Sequence, residues 1–211
     1  MKADKRKIAY LGKIQLSDVD LSYLHAAQHG SDITYILEIN PRFKAGPAIS
    51  VNKVAERDGI FKATDLYPEF KKFCGYIDIE KFYVLNSYGR FWALKSIWVN
   101  ICLLWFLVRH KFSVVHLTWP ANIYEFSLYA LRRRMARTVR EPFQHDDAEH
   151  NTLIVRLRRW CAFHLVRKFI ILNKTQRSKF LEFYSLKEED VFSSRLGAYN
   201  YLSTIGQDSS L

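Results

Sequence analysis

The densest run of ionisable side chains in the sequence is His145-Asp146-Asp147-Ala148-Glu149-His150, in a polar loop over 140–150. Side chains of these types can ligate a divalent metal or transfer a proton near neutral pH. Asp146, Asp147 and Glu149 precede a helix that Asn151 would cap. Negative charge is favoured there by the helix dipole without any metal, so these carboxylates are read as dipole partners and no metal is assigned. His145 differs. It comes just after Pro142-Phe143, and its ordinary pKa suits proton transfer or phosphate contact.

These residues need a scaffold, and the flanking sequence provides one. Val114, Val115, His116 and Leu117 form a short β-branched and apolar run that stops at Trp119-Pro120, which reads as a buried strand over 113–118. Asn122 with Glu125 forms a capping box opening a helix over about 123–134, and 135–140 reads as the next strand. A strand, crossover helix and strand make one parallel unit. In open α/β sheets, ligands bind beyond the carboxyl ends of the strands, which is where 140–150 begins.

The same alternation runs along the chain. Strands are expected at 7–11, 33–39, 81–85, 168–172 and 191–196, with an edge strand near 48–51. Helices are expected from the Ser17/Asp20 capping box to Gly30, and over 67–74, 91–109, 151–166 and 175–186. Leu153, Ile154, Leu157, Trp160, Cys161, His164 and Leu165 form one stripe at helical spacing, with Arg156, Arg158 and Arg159 elsewhere on that surface. The run Phe91–Val108 is interrupted by Lys95, Ser96 and Asn100. A spanning helix needs roughly 20 apolar residues, so a buried core helix is preferred over an in-plane membrane helix. The pattern gives an α/β fold with a doubly wound, mostly parallel, Rossmann-like sheet, a single domain over 1–200 and a linker or tail over 201–211.

Composition narrows the partners. Of 211 residues, 49% are hydrophobic and 15% aromatic, which argues for a folded chain, and the net charge of +11 points to anionic partners. No zinc finger or other nucleic-acid motif accompanies the charge, so nucleic acid is not expected. The patches at Lys2–Lys7, Arg132–Arg134 with Arg137, Arg156–Arg159 and Arg167-Lys168 read singly as solvated faces. A basic helix carrying Trp160 is also suited to anionic lipid. Cys74, Cys102 and Cys161 are odd in number, widely spaced and set in apolar runs, the usage of a reducing compartment with buried thiols. The basic N-terminus is followed by too short an apolar run for a signal peptide, so the expected location is cytoplasmic. His25 and His29 share a helix face but have no third ligand in sight. In the first turn, Leu11-Gly12-Lys13, a dinucleotide fingerprint would need further glycines, so no bound NAD or FAD is expected. Gly12 permits close approach of a ligand with Lys13 as a neighbouring cation, or it serves a plain strand-to-helix turn.

Taken in order, Leu11-Gly12-Lys13, Ser113-Val114-Val115-His116, Thr138-Val139-Arg140-Glu141-Pro142-Phe143-Gln144-His145, Ile171-Leu172-Asn173-Lys174 and Leu196-Gly197-Ala198-Tyr199-Asn200-Tyr201 form a recognisable series. The chain resembles the N-terminal, acceptor-side domain of family 4 glycosyltransferases of the GT-B fold, across nearly its whole length. The resemblance implies the acceptor-binding half of a hexosyltransferase. Its donor would be a nucleotide sugar, with no other cofactor, and its acceptor a glycan or lipid-phosphate-linked sugar at the inner membrane face, as in polysaccharide biosynthesis. It implies a cleft wall of Gly12, Lys13 and Arg140 for substrate binding, with Glu141 and His145 as catalytic candidates. Two departures accompany it: the family's His-Asp pair is Arg140-Glu141, and its Pro-His is Gln144-His145. The donor half with its paired glutamates would come from a separately encoded partner or a missing C-terminal domain, so the isolated chain is expected not to transfer sugar. The alternative is a non-catalytic module that binds an anionic glycan or a membrane surface.

Overall fold

The computed structural model describes residues 5–13, 15–16, 24–38, 49–50, 58–73, 75, 77–86, 92–117, 128–139, 153–166, 168–172 and 174–193. They fall into two compact units, one ending at Ser113 and the other starting at Val114.

The first unit opens with strand β1 (Arg6–Lys13), the short β2 (Gln15–Leu16), a helical turn at 24–27 and β3 (Ser31–Glu38). Then come β4 (Ile49–Ser50), β5 (Gly59–Lys62), the four-residue helix α1 (Ala63–Leu66), a 3-10 segment Pro68–Phe73, β6 (Phe82–Asn86) and the 18-residue helix α2 (Trp92–Arg109). The order across its sheet is β1-β3-β6-β5. β1, β3 and β6 are parallel, and β5 closes the edge antiparallel to β6. Register places Tyr10 beside Tyr35 and Tyr35 beside Phe82 on one face. The rings of Tyr10 and Tyr35 stack at 5.2 Å, and Phe70 and Tyr67 continue the cluster over the same face. On the other face Tyr83 meets Phe106 of α2 edge-on. An apolar layer on each side of a parallel sheet is why β3 is buried without alternation from Ile33 to Leu37, Thr34 included.

The second unit holds β7 (Val114–Leu117), a 3-10 segment Tyr129–Arg134, β8 (Met135–Val139), helix α3 (Leu153–His164), β9 (Lys168–Ile171), helix α4 (Arg177–Phe183) and β10 (Val191–Ser193). Its strands lie in the order β7-β8-β9-β10, all parallel. Phe163 of α3, Phe169 of β9 and Phe180 of α4 pack ring against ring, with Tyr184 stacked on Phe163. With four sheet strands in each unit, seven of them on the parallel pairing pattern, the fold is α/β, mostly parallel and Rossmann-like.

Several expectations need correction. The strand expected near 48–51 is β4, and it pairs antiparallel with β2 in a separate ribbon rather than edging the main sheet. The edge is β5, whose first residue Gly59 sits at φ 133, a backbone state glycine reaches without a Cβ penalty. Residues 68–73 and 129–134 are 3-10 rather than α; the capping boxes at Ser17/Asp20 and Asn122/Glu125, and Asn151, lie outside the described residues. The largest correction concerns helix faces. α2 is not a buried core helix: Val99, Asn100, Leu103 and Leu107 are buried, while Leu94, Ile97, Trp98, Ile101, Trp105 and Val108 are exposed. On α3 most of the expected stripe faces outward: Leu153, Leu157, Trp160 and His164 are exposed and Cys161 is buried, while the inward side is Cys161, Ala162 and Phe163, none but Cys161 a member of that stripe. A helix apolar on all sides carries no periodic signal to say which side faces the sheet. Of the cysteines, Cys161 is a buried free thiol, its pKa raised by burial, and Cys102 is a half-buried one; Cys74 lies outside the described residues.

Candidate functional site

The carboxyl ends of the parallel strands are where a ligand of this fold class belongs. In the second unit those ends carry a concentration of buried polar groups. His116, third residue of β7, is 2% exposed, and Arg137 and Thr138 of β8 are 0% and 9% exposed. Register sets His116 beside Ala136 and Leu117 beside Arg137. Successive residues of a strand face opposite sides. His116 and Thr138 therefore share one face of this sheet, while Arg137 shares the other with Phe169, its register partner on β9.

His116 Nε2 and Thr138 Oγ1 share a 2.6 Å hydrogen bond. Burial, and secondarily the neighbouring Arg137 charge, lower the His116 pKa to about 4. A charged imidazole would be desolvated and repelled, so the ring is neutral at physiological pH. It can then act as a hydrogen-bonded wedge that fixes Thr138, two residues before Arg140. Being buried, it is a positioning group and not one that meets a substrate.

This pair was hard to foresee from residue pattern. His116 stands in an apolar run and its partner comes 22 residues later. The available signal was an imidazole inside a short strand, which must find a hydrogen-bond partner when buried.

In the first unit, β1 runs through Gly12 to Lys13, so Gly12 lies within the strand instead of in a turn after it. Gly12 pairs with Leu37 and Lys13 with Glu38. A Cβ at Gly12 would overlap the Tyr35 hydroxyl and come 2.7 Å from Tyr35 Cζ. Close approach on the side-chain side of this glycine is thus already taken by Tyr35 of the same core. Arg140, Glu141 and His145 lie outside the described residues, as do the other members of the 140–150 run. Among the described residues, no group of three or more His, Cys, Asp and Glu could hold a metal ion. His25 and His29 meet edge to face at 5.4 Å, and His25 Nδ1 lies 3.3 Å from Gln28 Nε2.

A cavity of about 410 Å³ in the first unit is lined by Lys5, Lys7, His29, Asp32, Tyr35 and Lys81, among others. It sits at the amino-terminal starts of β1, β3 and β6, away from the strand ends at which this class of fold binds ligands. Its lysine at 81 is engaged, 2.9 Å from Asp32 and 3.2 Å from Asp78, which raises its pKa, mainly through the bond to Asp32. No described helix is long and apolar enough to cross a membrane.

No protein-family model and no curated protein matches the sequence. Solved structures do match in fold. UDP-N-acetylglucosamine 2-epimerase from Rickettsia bellii superposes with a TM-score of 0.59 at 13% identity, over 98% of this chain and 50% of that one. UDP-GlcNAc 2-epimerase from Neisseria meningitidis bound to UDP-GlcNAc gives 0.57 at 10% identity, over 96% and 49%. Glycyrrhiza uralensis UGT73P12 complexed with glycyrrhetinic acid 3-O-monoglucuronide gives 0.52 at 10% identity, over 98% and 51%. The chain spans about half the length of the structures it matches. Its fold is that of half of a GT-B chain.

Proposed function

We propose that this chain is the acceptor-side half of a glycosyltransferase that moves a sugar from a nucleotide sugar to a glycan or lipid-phosphate-linked acceptor. The observation that carries the reading is the fold match: nearly the entire chain corresponds to one half of two UDP-N-acetylglucosamine 2-epimerases and of a UGT complexed with a glucuronide. The ordered series of motifs, from Leu11-Gly12-Lys13 to Leu196-Gly197-Ala198-Tyr199, supports family 4 in particular. A donor-binding half completes the enzyme.

Each site residue is assigned by its place after or at the carboxyl end of its own strand. Gly12 and Lys13 close β1 and contribute backbone and a cation to acceptor binding. Arg140 follows β8 directly and holds an acceptor phosphate through its guanidinium fork. In transfer, the acceptor O–H bond breaks, its oxygen bonds to the sugar anomeric carbon, and the nucleoside diphosphate leaves with the former anomeric C–O electron pair. Glu141 or His145 takes the acceptor proton. The neutral His116–Thr138 pair holds the end of β8 in place.

The binding step can be tested without the donor half. A water-soluble sugar pyrophosphate is titrated calorimetrically against the chain and its Arg140→Ala and His145→Ala variants. Loss of a charge-assisted hydrogen bond should weaken binding by about tenfold or more in Arg140→Ala. Melting temperatures should stay close to the parent's. Unchanged affinity in both variants would remove this loop from the site.

A further inference from the structure

Helix α2 leaves one whole side uncovered. Leu94, Ile97, Trp98, Ile101, Trp105 and Val108 are each more than half exposed, between 52% and 68%. Their spacing makes a single stripe along a helix about 27 Å long. They account for six of the eleven large hydrophobic residues exposed among the described residues. The opposite side of the same helix, Val99, Leu103 and Leu107, is buried. An apolar stripe this long on a folded unit marks an interaction surface.

Charge indicates what covers it. Between Glu80 and Glu125 the sequence has no Asp or Glu, while Lys81, Arg90, Lys95, Arg109 and Lys111 are all cationic. Lys95 is engaged by Asp58 at 3.0 Å. At the carboxyl end of α2 the stripe runs into Arg109, His110 and Lys111, all exposed, and the Arg109 guanidinium lies 4.9 Å from the centre of the Trp105 ring. Indole rings on an apolar face, bordered by cations and with no carboxylate on the helix itself, are the composition of a helix that lies in a lipid–water interface. A self-associating helix pair would instead carry charges of both signs beside its seam, and α2 has none that are negative. α3 repeats the composition on the second unit, with Leu153, Leu157 and Trp160 exposed beside an exposed Arg156, and Trp160 stacked on His164.

We infer that the exposed face of α2 docks in the plane of an anionic lipid bilayer, with Trp98 and Trp105 in the interface and Arg109 and Lys111 among the headgroups. The docking requires neither an acceptor nor a donor half, so it stands apart from the transferase reading.

The test is co-sedimentation of the full chain with mixed phosphatidylcholine–phosphatidylglycerol vesicles and with pure phosphatidylcholine vesicles, over a range of salt. Binding is expected to the mixed vesicles, weakening as salt rises, with a blue shift of tryptophan emission. The double variant Trp98→Ser/Trp105→Ser, at exposed positions, should keep its melting temperature and bind at least about tenfold more weakly. Arg109→Gln with Lys111→Asn should reduce the preference for the anionic vesicles. Absence of binding by the parent chain would overturn the inference, as would binding unchanged in the Trp variant. Concentration-dependent dimerisation that Trp98→Ser abolishes, without vesicle binding, would assign the face to a second copy of the chain and overturn it equally. Because the vesicles carry no acceptor, failure here leaves the acceptor-binding titration unaffected.

Discussion

The two units share an architecture and fill their sheets differently. In the first, the face around Tyr10, Tyr35, Phe82 and Phe70 is an aromatic cluster, and even Gly12 serves it by leaving room for the Tyr35 hydroxyl. In the second, an imidazole and a guanidinium are buried in neighbouring strands at the ends that lead toward the 140–150 run. Burying ionisable groups is costly unless they are hydrogen-bonded or paired, so they recur where a fold positions chemistry. Packing alone explains the aromatic face of the first unit. It does not explain the second.

The sharpest way to break this contrast is to truncate one buried group in each unit. Phe82→Ala in the first should cost about 3–5 kcal/mol through cavity formation. Arg137→Ala in the second should cost on the order of 3 kcal/mol or more, because a buried charged group leaves its surroundings unsatisfied. Chemical denaturation measures both. Equal replacement of Arg137 by Met without loss would show that the second unit needs only volume there.

Next in size is a pH effect confined to the second unit. The His116 pKa is about 4 in the fold and about 6.5 in the unfolded chain. Between those values the unfolded state binds the extra proton, so stability rises with pH in that window. The contribution is complete above about pH 6.5, falls as pH drops and is gone below about pH 4, with an upper size of about 3 kcal/mol. Denaturation midpoints from about pH 4 to about pH 7, compared with a His116→Asn variant, isolate it. A parent and variant with the same pH slope would contradict the buried neutral imidazole.

Smaller still is Gly12→Ala, for which overpacking against Tyr35 should cost about 1–3 kcal/mol. Combining it with Tyr35→Leu should recover much of that loss. Full additivity in the double-mutant cycle would mean that the two residues do not touch. At the bottom lies Lys81→Met, where a half-exposed ion pair with Asp32 and Asp78 should be worth less than about 1 kcal/mol.

The strand and helix order was legible in the sequence because β-branched runs and turn residues act locally. β3, β6, α2, β7, β8 and β9 begin and end within one or two residues of their expected bounds. β5 was not legible: four residues opening on glycine carry no alternation, and only the edge of β6 makes them a strand. The short 3-10 segments were read as α because both place apolar residues three to four apart. Which side of α2 meets the sheet depends on a tertiary contact, Tyr83 with Phe106, that spacing does not encode in a helix apolar all round. In the candidate site, Gly12 and Lys13 were expected in a turn after the first strand, whereas β1 runs through both, and the demand of Tyr35 on Gly12 arises from the neighbouring strand's register. His116 and Thr138 joined the site only through the pairing of β7 with β8, a long-range event that single-strand patterns leave open.

The central proposal, that this chain is the acceptor half of a glycosyltransferase, is tested most directly by radiolabelled sugar transfer. The purified chain is assayed alone and mixed with a lysate of its own source, against a panel of nucleotide sugars and lipid-phosphate acceptors. The expected result is transfer in the mixture only, lost when Arg140→Ala replaces the parent chain. Transfer by the chain alone, or transfer in the mixture that is indifferent to Arg140, would contradict it.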